Sequence, residues 1–292
     1  MDRVVRAAPA KLNLTLDVVG RRADGYHLLD SLVAFTEYGD TIEAAPGESL
    51  SLIMDGPFGA KLAVDPAENL VLRAARLLAA EAGVAADAAL RLTKRLPIAS
   101  GIGGGSSDAA ATLSALAELW RLALPEEDLA RLGLKLGADV PVCLTGRPAR
   151  LEGIGERVGW APDLPAAPIV LVNPGIGLPT PQVFRARTGE FSPGAGAEGV
   201  LPASPADTQA LAAALADTGN DLTAPAITLL PAIAEVLAAL EAAPGCLLAR
   251  MSGSGATCFA LFAENGTAGA AAAAIGQAQP GWWSVATRLK RA

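Results

Sequence analysis

The first part of the chain alternates between polar and apolar residues at the spacing of a β-strand. Leu12, Leu14 and Val18 belong to one such run over residues 3–19. Similar runs cover residues 31–44 and 49–54. Because successive side chains of a strand point to opposite faces of its sheet, this alternation predicts strands in all three segments. Shorter apolar runs predict further strands at residues 88–94, 169–172 and 256–263.

Between these strands the apolar residues recur at helical spacing. In residues 69–83, Leu70 and Ala74 fall on one face of a helix while Arg73 falls off it, which predicts an amphipathic helix. The same reasoning predicts helices at residues 107–120, 125–136, 208–217 and 231–243. The alanine run at residues 268–275 predicts a surface helix.

The composition of the chain changes near residues 145–165, where glycine and proline become frequent. We therefore predict two domains, residues 1–150 and residues 151–292. Strands interleave with helices in both halves, and this order predicts an α+β fold. Residues 189–206 are rich in Gly, Pro, Ala and Ser and predict a mobile loop.

Composition and charge exclude several classes of protein. Of the 292 residues, 51% are hydrophobic and 18% are charged, which is typical of a globular chain with a sizeable core. The net charge of −7 and the scattered lysines and arginines disfavour nucleic acid as a partner. The N-terminal residues lack the apolar core of a secretion signal, and no apolar run reaches the roughly 18 residues of a membrane span. We expect a cytoplasmic protein without a membrane partner.

The cysteines and the single histidine argue against a metal site or a disulfide framework. Cys143, Cys246 and Cys258 are odd in number and far apart, and His27 is the only histidine that a metal ion could share with them. Zinc sites and disulfide scaffolds need closely spaced or paired ligands. The sequence therefore predicts no metal held by protein ligands alone.

The stretch LPIASGIGGGSSDAA at residues 96–110 is the strongest candidate for chemistry. Glycines allow close backbone approach to a ligand, and the first N–H groups of a helix attract anions, so the stretch predicts a cradle for a nucleotide triphosphate. It does not fit a Walker A loop, since no lysine follows Gly105, or a dinucleotide fingerprint, since Ser106 stands where glycine or alanine is needed. The remaining alternative is an ordinary turn with a helix cap made by Ser106, Ser107 or Asp108.

Four further segments join this stretch: PAKLN at residues 9–13, DGYH at 24–27, GADVP at 137–141 and MSGSGAT at 251–257. Together they resemble the GHMP kinases, and most closely the branch that serves the methylerythritol route to isoprenoid precursors. The resemblance implies a two-domain GHMP kinase fold, with an N-terminal domain like the second domain of ribosomal protein S5, a ferredoxin-like C-terminal domain and a substrate cleft between the domains.

The resemblance also implies the reaction. The γ-phosphoryl group of ATP passes to the 2-hydroxyl group of 4-diphosphocytidyl-2-C-methyl-D-erythritol, and Mg²⁺ arrives with ATP rather than in a cage of protein ligands. Asp139 accepts the proton of the hydroxyl group, and Lys11 supports it and stabilises charge on the transferred group. Taken alone, Lys11 would be typical of a solvated surface charge and Asp139 of a helix or turn cap.

The family's substrate-binding positions fall on Asn13, Tyr26, His27, Thr180 and Phe184. The resemblance implies that Tyr26 and Phe184 stack on the two faces of the cytosine base and that His27 bonds its edge. Because the predicted boundary separates Tyr26 from Phe184, we expect the base where the two domains meet. Without the resemblance, Tyr26 and His27 would be read as exposed residues of a turn.

The resemblance further implies a set of nucleotide-binding positions. They are Asn69, Lys94, Pro97, Gly101, Gly103, Gly104, Gly105, Ser106 and Ser107, with Gly253, Ser254 and Gly255 close to the phosphates. Asn69 alone would fit a helix cap, and residues 253–257 alone would fit a hairpin turn. Asp108 departs from the family, where many members carry Asn; its charge would repel triphosphate unless it faces magnesium or caps the helix, so it is excluded from this set.

Two other functions remain open at the level of the sequence. The chain fits another GHMP kinase, such as one acting on homoserine or mevalonate, but those acceptors have no base for Tyr26 and His27 to bind. It also fits a catalytically silent ligand sensor of the same fold, and the presence of both Lys11 and Asp139 argues against that. We expect a monomer or a weak homodimer.

Overall fold

The structure is a computed structural model that describes residues 3–61, 68–195, 199–201 and 203–291. The strands are β1 (Val4–Asn13), β2 (Asp17–Arg21), β3 (His27–Ala45), β4 (Ser51–Asp55), β5 (Ala89–Thr93), β6 (Ala149–Gly153), β7 (Arg157–Trp160), β8 (Pro168–Asn173), β9 (Cys246–Met251), β10 (Cys258–Phe262) and β11 (Trp283–Arg288). The α-helices are α1 (Leu70–Ala82), α2 (Gly104–Leu119), α3 (Glu126–Leu136), α4 (Val140–Thr145), α5 (Thr180–Ala186), α6 (Thr208–Leu215), α7 (Thr223–Leu229), α8 (Ala232–Glu241) and α9 (Asn265–Ala278).

Every predicted helix and strand is present, with shifted ends. The largest shift that affects the site is in α2, which begins at Gly104 rather than at residue 107, so the last glycines of the candidate loop form its first turn. The short helices α4, α5 and α7 were not predicted, because seven residues or fewer are too short for helical periodicity to be recognised. The strands β6, β7, β9 and β11 were not predicted either.

The described part of residues 189–206 contains neither helix nor strand. It is nevertheless attached to the protein by specific hydrogen bonds. The Ser192 N–H donates to the Val18 carbonyl at 3.0 Å, and the Ala195 N–H donates to the Asp30 carboxylate at 2.8 Å. A loop conformation is confirmed for the described residues, and its predicted mobility stays a prediction.

The chain forms two compact units. Unit 1 comprises the described residues of Met1–Ala10, Gly39–Ile98 and Gly103–Gly146. Unit 2 comprises those of Lys11–Tyr38, Ala99–Ile102 and Arg147–Ala292. The strands β1 and β3 contribute to both units, as does the glycine-rich stretch. The predicted domain boundary near residue 150 stays a prediction.

Unit 1 combines a small sheet with helices. Strand β5 pairs in parallel with β4 and antiparallel with the last residues of β3, where Thr41 lies opposite Thr93. Helix α2 packs against α1, α3 and α4, and most of its residues from Ser107 to Ala117 are buried. This burial explains why α2 is apolar around most of its circumference.

Unit 2 contains an antiparallel sheet with the strand order β11-β8-β10-β9. Cys258 of β10 lies opposite Val172 on one side and opposite Met251 on the other. Helices α8 and α9 pack against this sheet, and Val236 and Ile275 share a buried core with Phe262. In the rest of unit 2, β2 and β6 pair with the first half of β3, and β7 pairs with β6.

Among the described residues, no helix combines the length and the hydropathy that crossing a lipid bilayer requires. The longest helix, α2, carries Asp108 inside its first turns.

The core beneath α8 and α9 supports unit 2, which leads to a prediction about Phe262. The Phe262→Ala substitution leaves a cavity at a fully buried position and should lower the free energy of unfolding by about 3–5 kcal/mol. The control Leu247→Ala removes a side chain of the same sheet that is 38% exposed and should change stability by about 0.5 kcal/mol or less. Urea denaturation measures both, and equal losses would contradict the prediction.

Candidate functional site

The glycine-rich stretch opens α2 in unit 1. Gly103 precedes the helix in a left-handed conformation, with φ of 65°, and as a glycine it has no side chain to cap the helix. The Ser107 hydroxyl donates to the Pro9 carbonyl at 2.7 Å, and Asp108 pairs with Lys94. The alternative in which Ser107 or Asp108 caps this helix is therefore wrong. The first turn of α2 instead presents backbone N–H groups and the positive end of the helix dipole.

Lys94, which follows β5, lies between two carboxylates of unit 1. Its ammonium donates to Asp40 Oδ2 at 2.5 Å and to Asp108 Oδ2 at 2.7 Å, and all three side chains are buried. Burial opposes the charge on Lys94, but Asp108 and Asp40 more than compensate and raise the pKa of the lysine. The Asp108 carboxyl group thus faces Lys94 and does not cap the helix.

Asn69 and Asp139 stand at helix N-termini of unit 1, and they behave differently there. The Asn69 Oδ1 accepts a hydrogen bond from the Val71 N–H at 2.9 Å, so this side chain does cap α1. Asp139 precedes α4, all of which is described, and its side chain makes no capping hydrogen bond to that helix. The cap alternative is confirmed for Asn69 and is wrong for Asp139 at α4.

The loop also approaches the neighbouring segments of unit 1. A side chain at Gly137 would bring its Cβ atom to 4.0 Å from the Ser106 hydroxyl oxygen. A side chain at Gly105 would bring its Cβ atom to 3.2 Å from Leu70, the first residue of α1. The structure therefore brings the loop together with the starts of α1 and α4, where Asn69 and Asp139 lie.

Residues 99–102 belong to unit 2, and backbone hydrogen bonds hold them from two sides. The Lys11 N–H donates to the Ile102 carbonyl at 2.9 Å, and the Thr257 N–H donates to the Ser100 carbonyl at 3.1 Å. Lys11 itself is only 4% exposed, so the alternative of a solvated surface lysine is wrong. Pro97, which precedes this segment in the sequence, is buried.

Gly101 lies directly against the turn at residues 252–255. A Cβ atom at Gly101, whose φ is +74°, would lie 2.6 Å from the carbonyl oxygens of both Ser252 and Gly255. The Ser252 hydroxyl completes the contact by donating to the Gly101 carbonyl at 3.1 Å. The early and late glycine motifs of the sequence thus meet through their backbones in unit 2.

Polar side chains fix the same turn. The Asn13 N–H donates to the Ser252 hydroxyl at 3.1 Å, and the hydroxyl groups of Thr180 and Ser254 are 2.8 Å apart. Asn220 donates from Nδ2 to the carbonyls of Met251 and Gly253 at 2.9 and 2.8 Å. Asn13, Thr180 and Ser254 were candidate residues; Asn220 was missed, since no motif or period in the sequence marks it.

The aromatic candidates lie together in unit 2. The rings of His27 and Phe184 stack with centroids 5.1 Å apart and planes inclined by 23°. Tyr26 is 63% exposed. Burial, together with the charges of Arg21 and Arg187, lowers the pKa of His27, so its ring is neutral at pH 7 and has one donor and one acceptor nitrogen.

The three aromatic candidates fall in one unit of the structure. Tyr26, His27 and Phe184 share unit 2, whereas the predicted boundary assigns Tyr26 and Phe184 to different domains.

Within the described residues, no group of three or more His, Cys, Asp or Glu side chains is arranged to hold a metal ion.

Two family models match the chain. Residues 69–147 match the N-terminal domain of the GHMP kinases, and residues 203–280 match the GHMP kinase C-terminal domain. The first match contains the glycine loop, Lys94 and Asp139. The second contains Asn220 and the turn at residues 252–255.

Curated relatives and solved structures agree with this match. A 4-diphosphocytidyl-2-C-methyl-D-erythritol kinase of Paramagnetospirillum magneticum is 58% identical over 97% of both chains. The protein of the same name from Rhodospirillum rubrum is 54% identical over 99% of this chain and 93% of its own. The crystal structure of a 4-(cytidine 5'-diphospho)-2C-methyl-D-erythritol kinase, 38% identical, matches 98% of each chain with a TM-score of 0.80.

A more distant structure shares the fold alone. The homoserine kinase from Cytophaga hutchinsonii is 18% identical and matches with a TM-score of 0.74 over all of this chain and 95% of its own.

The contact between Gly101 and the turn at residues 252–255 leads to a prediction. The Gly101→Ala substitution should destabilise the protein by more than the Gly83→Ala substitution. Both glycines have a left-handed backbone, with φ of +74° and +66°, which costs alanine about 1–2 kcal/mol. Only at Gly101 would the new methyl group also collide with backbone carbonyls, since Gly83 has nothing within 4 Å. Chemical denaturation measures the difference, and equal losses would show that the turn moves aside freely.

Proposed function

Since the chain belongs to the GHMP kinases, in the family of the 4-diphosphocytidyl-2-C-methyl-D-erythritol kinases, we propose that it transfers the γ-phosphoryl group of ATP to the 2-hydroxyl group of 4-diphosphocytidyl-2-C-methyl-D-erythritol. The observation that carries this proposal is the 58% identity to a curated kinase of that name over 97% of both chains. The reaction belongs to the formation of isoprenoid precursors. A cytoplasmic location and a monomer or weak homodimer stay predictions.

ATP is proposed to bind through its phosphates at the N-terminus of α2. Supporting this, Gly103 precedes the helix without a side-chain cap, and Gly104 and Gly105 begin it without side chains. The first N–H groups of a helix have no partner within the helix and attract anions. Asn69, Lys94, Pro97, Gly101, Ser106 and Ser107 are proposed to complete this region, with Gly253, Ser254 and Gly255 close to the phosphates. Mg²⁺ is proposed to arrive on ATP and to neutralise phosphate charge.

Asp139 is proposed to be the general base. Asp139 is half-buried directly before α4, and its side chain makes no capping hydrogen bond to that helix. It would accept the proton of the acceptor hydroxyl as the oxygen attacks the γ-phosphorus. Lys11 is proposed to stabilise the negative charge of the transferred group, for which a buried ammonium is more effective than a solvated one.

The cytosine base is proposed to bind at His27, Tyr26 and Phe184. A neutral His27 can donate and accept at a base edge, which a protonated ring cannot do. One face of Phe184 is stacked against His27, so a base has to take the other face of Phe184 or displace the histidine. Tyr26 is exposed enough to close over the base. Asn13 and Thr180 are proposed to contact the remainder of this substrate.

An assay of ATP consumption with a panel of acceptor alcohols tests the proposed function. We expect turnover with 4-diphosphocytidyl-2-C-methyl-D-erythritol and none above background with homoserine or mevalonate. Phosphorylation of homoserine or mevalonate at a comparable rate would show that the protein is a GHMP kinase with a different acceptor. No turnover with any acceptor, despite ATP binding, would favour the ligand sensor.

The role of Asp139 leads to a prediction about catalysis. The Asp139→Asn substitution should leave the KM values for both substrates within a few-fold and reduce kcat by about 10²–10⁴-fold, since an amide cannot accept the proton. Asp207→Asn is the matched control, because Asp207 is also an aspartate at a helix N-cap and bonds the Ala210 N–H at 2.8 Å. Asparagine caps equally well, so this control should keep full activity. Full activity of the Asp139→Asn variant would show that Asp139 is not the general base.

The base site leads to a second prediction. CMP and CDP should compete with the acceptor and not with ATP, and the uridine nucleotides should compete more weakly because the edge of uracil has a different donor and acceptor pattern. Phe184→Ala should weaken this competition by about 1–3 kcal/mol through lost stacking. Phe191→Ala is the control, since Phe191 is 48% exposed and faces Arg187. Indifference to the base, or competition with ATP alone, would contradict the proposed acceptor.

A further inference from the structure

Three buried ionisable side chains lie behind the first turn of α2. The Lys94 ammonium contacts Asp40 Oδ2 at 2.5 Å and Asp108 Oδ2 at 2.7 Å. The exposed fractions of the side chains are 4% for Lys94, 0% for Asp40 and 4% for Asp108. This cluster of Asp40, Lys94 and Asp108, here called the buried triad, belongs entirely to unit 1.

The buried triad joins the two ends of the glycine-rich stretch. Asp40 Oδ1 accepts the N–H groups of Arg95 and Leu96 at 2.5 and 2.8 Å, so it fixes the backbone that enters the stretch. Asp108 lies in α2, into which the stretch leads. Lys94 links the two carboxyl groups. The segment before the loop and the helix after it are therefore connected by side chains whose geometry is protected from water.

The buried triad also touches the helix start directly. A Cβ atom at Gly104, the first residue of α2, would lie 3.1 Å from Lys94 Nζ and 3.8 Å from Asp40 Oδ2. Because glycine has no Cβ atom, the backbone of the first turn can lie close to the Lys94 ammonium group. A shift of Lys94 would therefore move, or remove support from, the turn that presents the N–H groups.

The charges of the buried triad do not balance. Two carboxyl groups share one ammonium, and no described residue donates a hydrogen bond to Asp108 Oδ1, which is fully buried. Burial raises the pKa of Asp108 to about 7; the charge of Asp40 acts in the same direction and that of Lys94 against it. Lys94 and Asp40 are the charged groups that bear on Asp108. Near neutral pH the buried triad thus changes between no net charge and one negative charge.

We propose that Asp108 is a positioning residue for ATP, which acts through Lys94 to hold the N-terminus of α2 in place and whose ionisation opposes the negative charge of the triphosphate. The inference rests on the part of the proposed function in which the glycine loop binds ATP. Asp108 is distinct from the residues that touch the nucleotide, because its charge faces Lys94.

The positioning role of Asp108 and the effect of its ionisation predict opposite changes in Mg·ATP affinity for two substitutions. Asp108→Asn keeps an oxygen for Lys94 and removes the titratable charge, so the loop stays in place. Asp108→Ala removes the link between Lys94 and α2. Asp55→Asn is the matched control, because Asp55 pairs with Arg91 in the same unit but its side chain is 41% exposed.

The experiment is the binding of Mg·ATP, without acceptor, to the whole protein by titration calorimetry between pH 6 and pH 8.5. In the parent protein, affinity should fall about two- to fivefold as Asp108 ionises, the effect expected of one charge near a helix N-terminus. The sign follows from charge: below pH 7 the buried triad is neutral, and above it one negative charge opposes ATP. Asp108→Asn should remove this loss, so that it binds more tightly than the parent at pH 8.5 and equally at pH 6. Asp108→Ala should bind about tenfold more weakly at every pH.

If Asp108→Ala binds like Asp55→Asn while circular dichroism shows that both are folded, the positioning role is overturned. If Asp108→Ala does not fold, the comparison of the parent with Asp108→Asn decides, and identical pH profiles overturn the inference. If the parent does not bind Mg·ATP at all, the proposed function fails instead, and the two failures are thereby distinguished.

Discussion

The contact of backbone with backbone at the glycine-rich stretch is the constraint on which the candidate site depends. Gly101 approaches the carbonyls of Ser252 and Gly255 so closely that a single methyl group would not fit. Within unit 1, a Cβ atom at Gly104 would lie 3.1 Å from the ammonium nitrogen of the Lys94 side chain. At Gly101 the contact is made by backbone N–H and carbonyl groups. Exposed backbone N–H groups suit an anion that is recognised by its charge and shape.

Buried polar groups around these glycines are held by complete networks. The Asn13 side chain donates to the Ser31 hydroxyl at 2.7 Å. Arg250, which is 8% exposed, donates to the carbonyls of Leu14 and Leu215 at 2.7 and 3.0 Å. A buried polar group is stable only when its partners are correctly placed, so these networks specify the local geometry as well as stabilising it. Among the described residues, Asp108 is the exception, and its unsatisfied oxygen marks a position where stability is not the sole requirement.

The fold does not determine the acceptor. Chains with little sequence identity share the fold of this protein, and function belongs to side chains placed on it. The residues proposed for the base, Tyr26, His27 and Phe184, are few, and their chemistry is that of stacking and edge recognition. Asp139 and Lys11, by contrast, carry proposed roles that would serve phosphoryl transfer to alcohols of different structure. Specificity and catalysis are thus assigned to separate groups of residues.

The sequence by itself determined the long helices and strands, because their periods of 3.6 and 2 residues are local, and it determined the family through motifs whose order survives along the chain. The tertiary structure alone decided the short helices such as α5, the cap made by Asn69 and the turn held by Asn220. It also decided that Asp108 pairs with Lys94, because the folded chain buries Asp108 beside Lys94 and Asp40. These features depend on contacts between residues far apart in sequence, and on the loss of water around charged groups, neither of which a local pattern records.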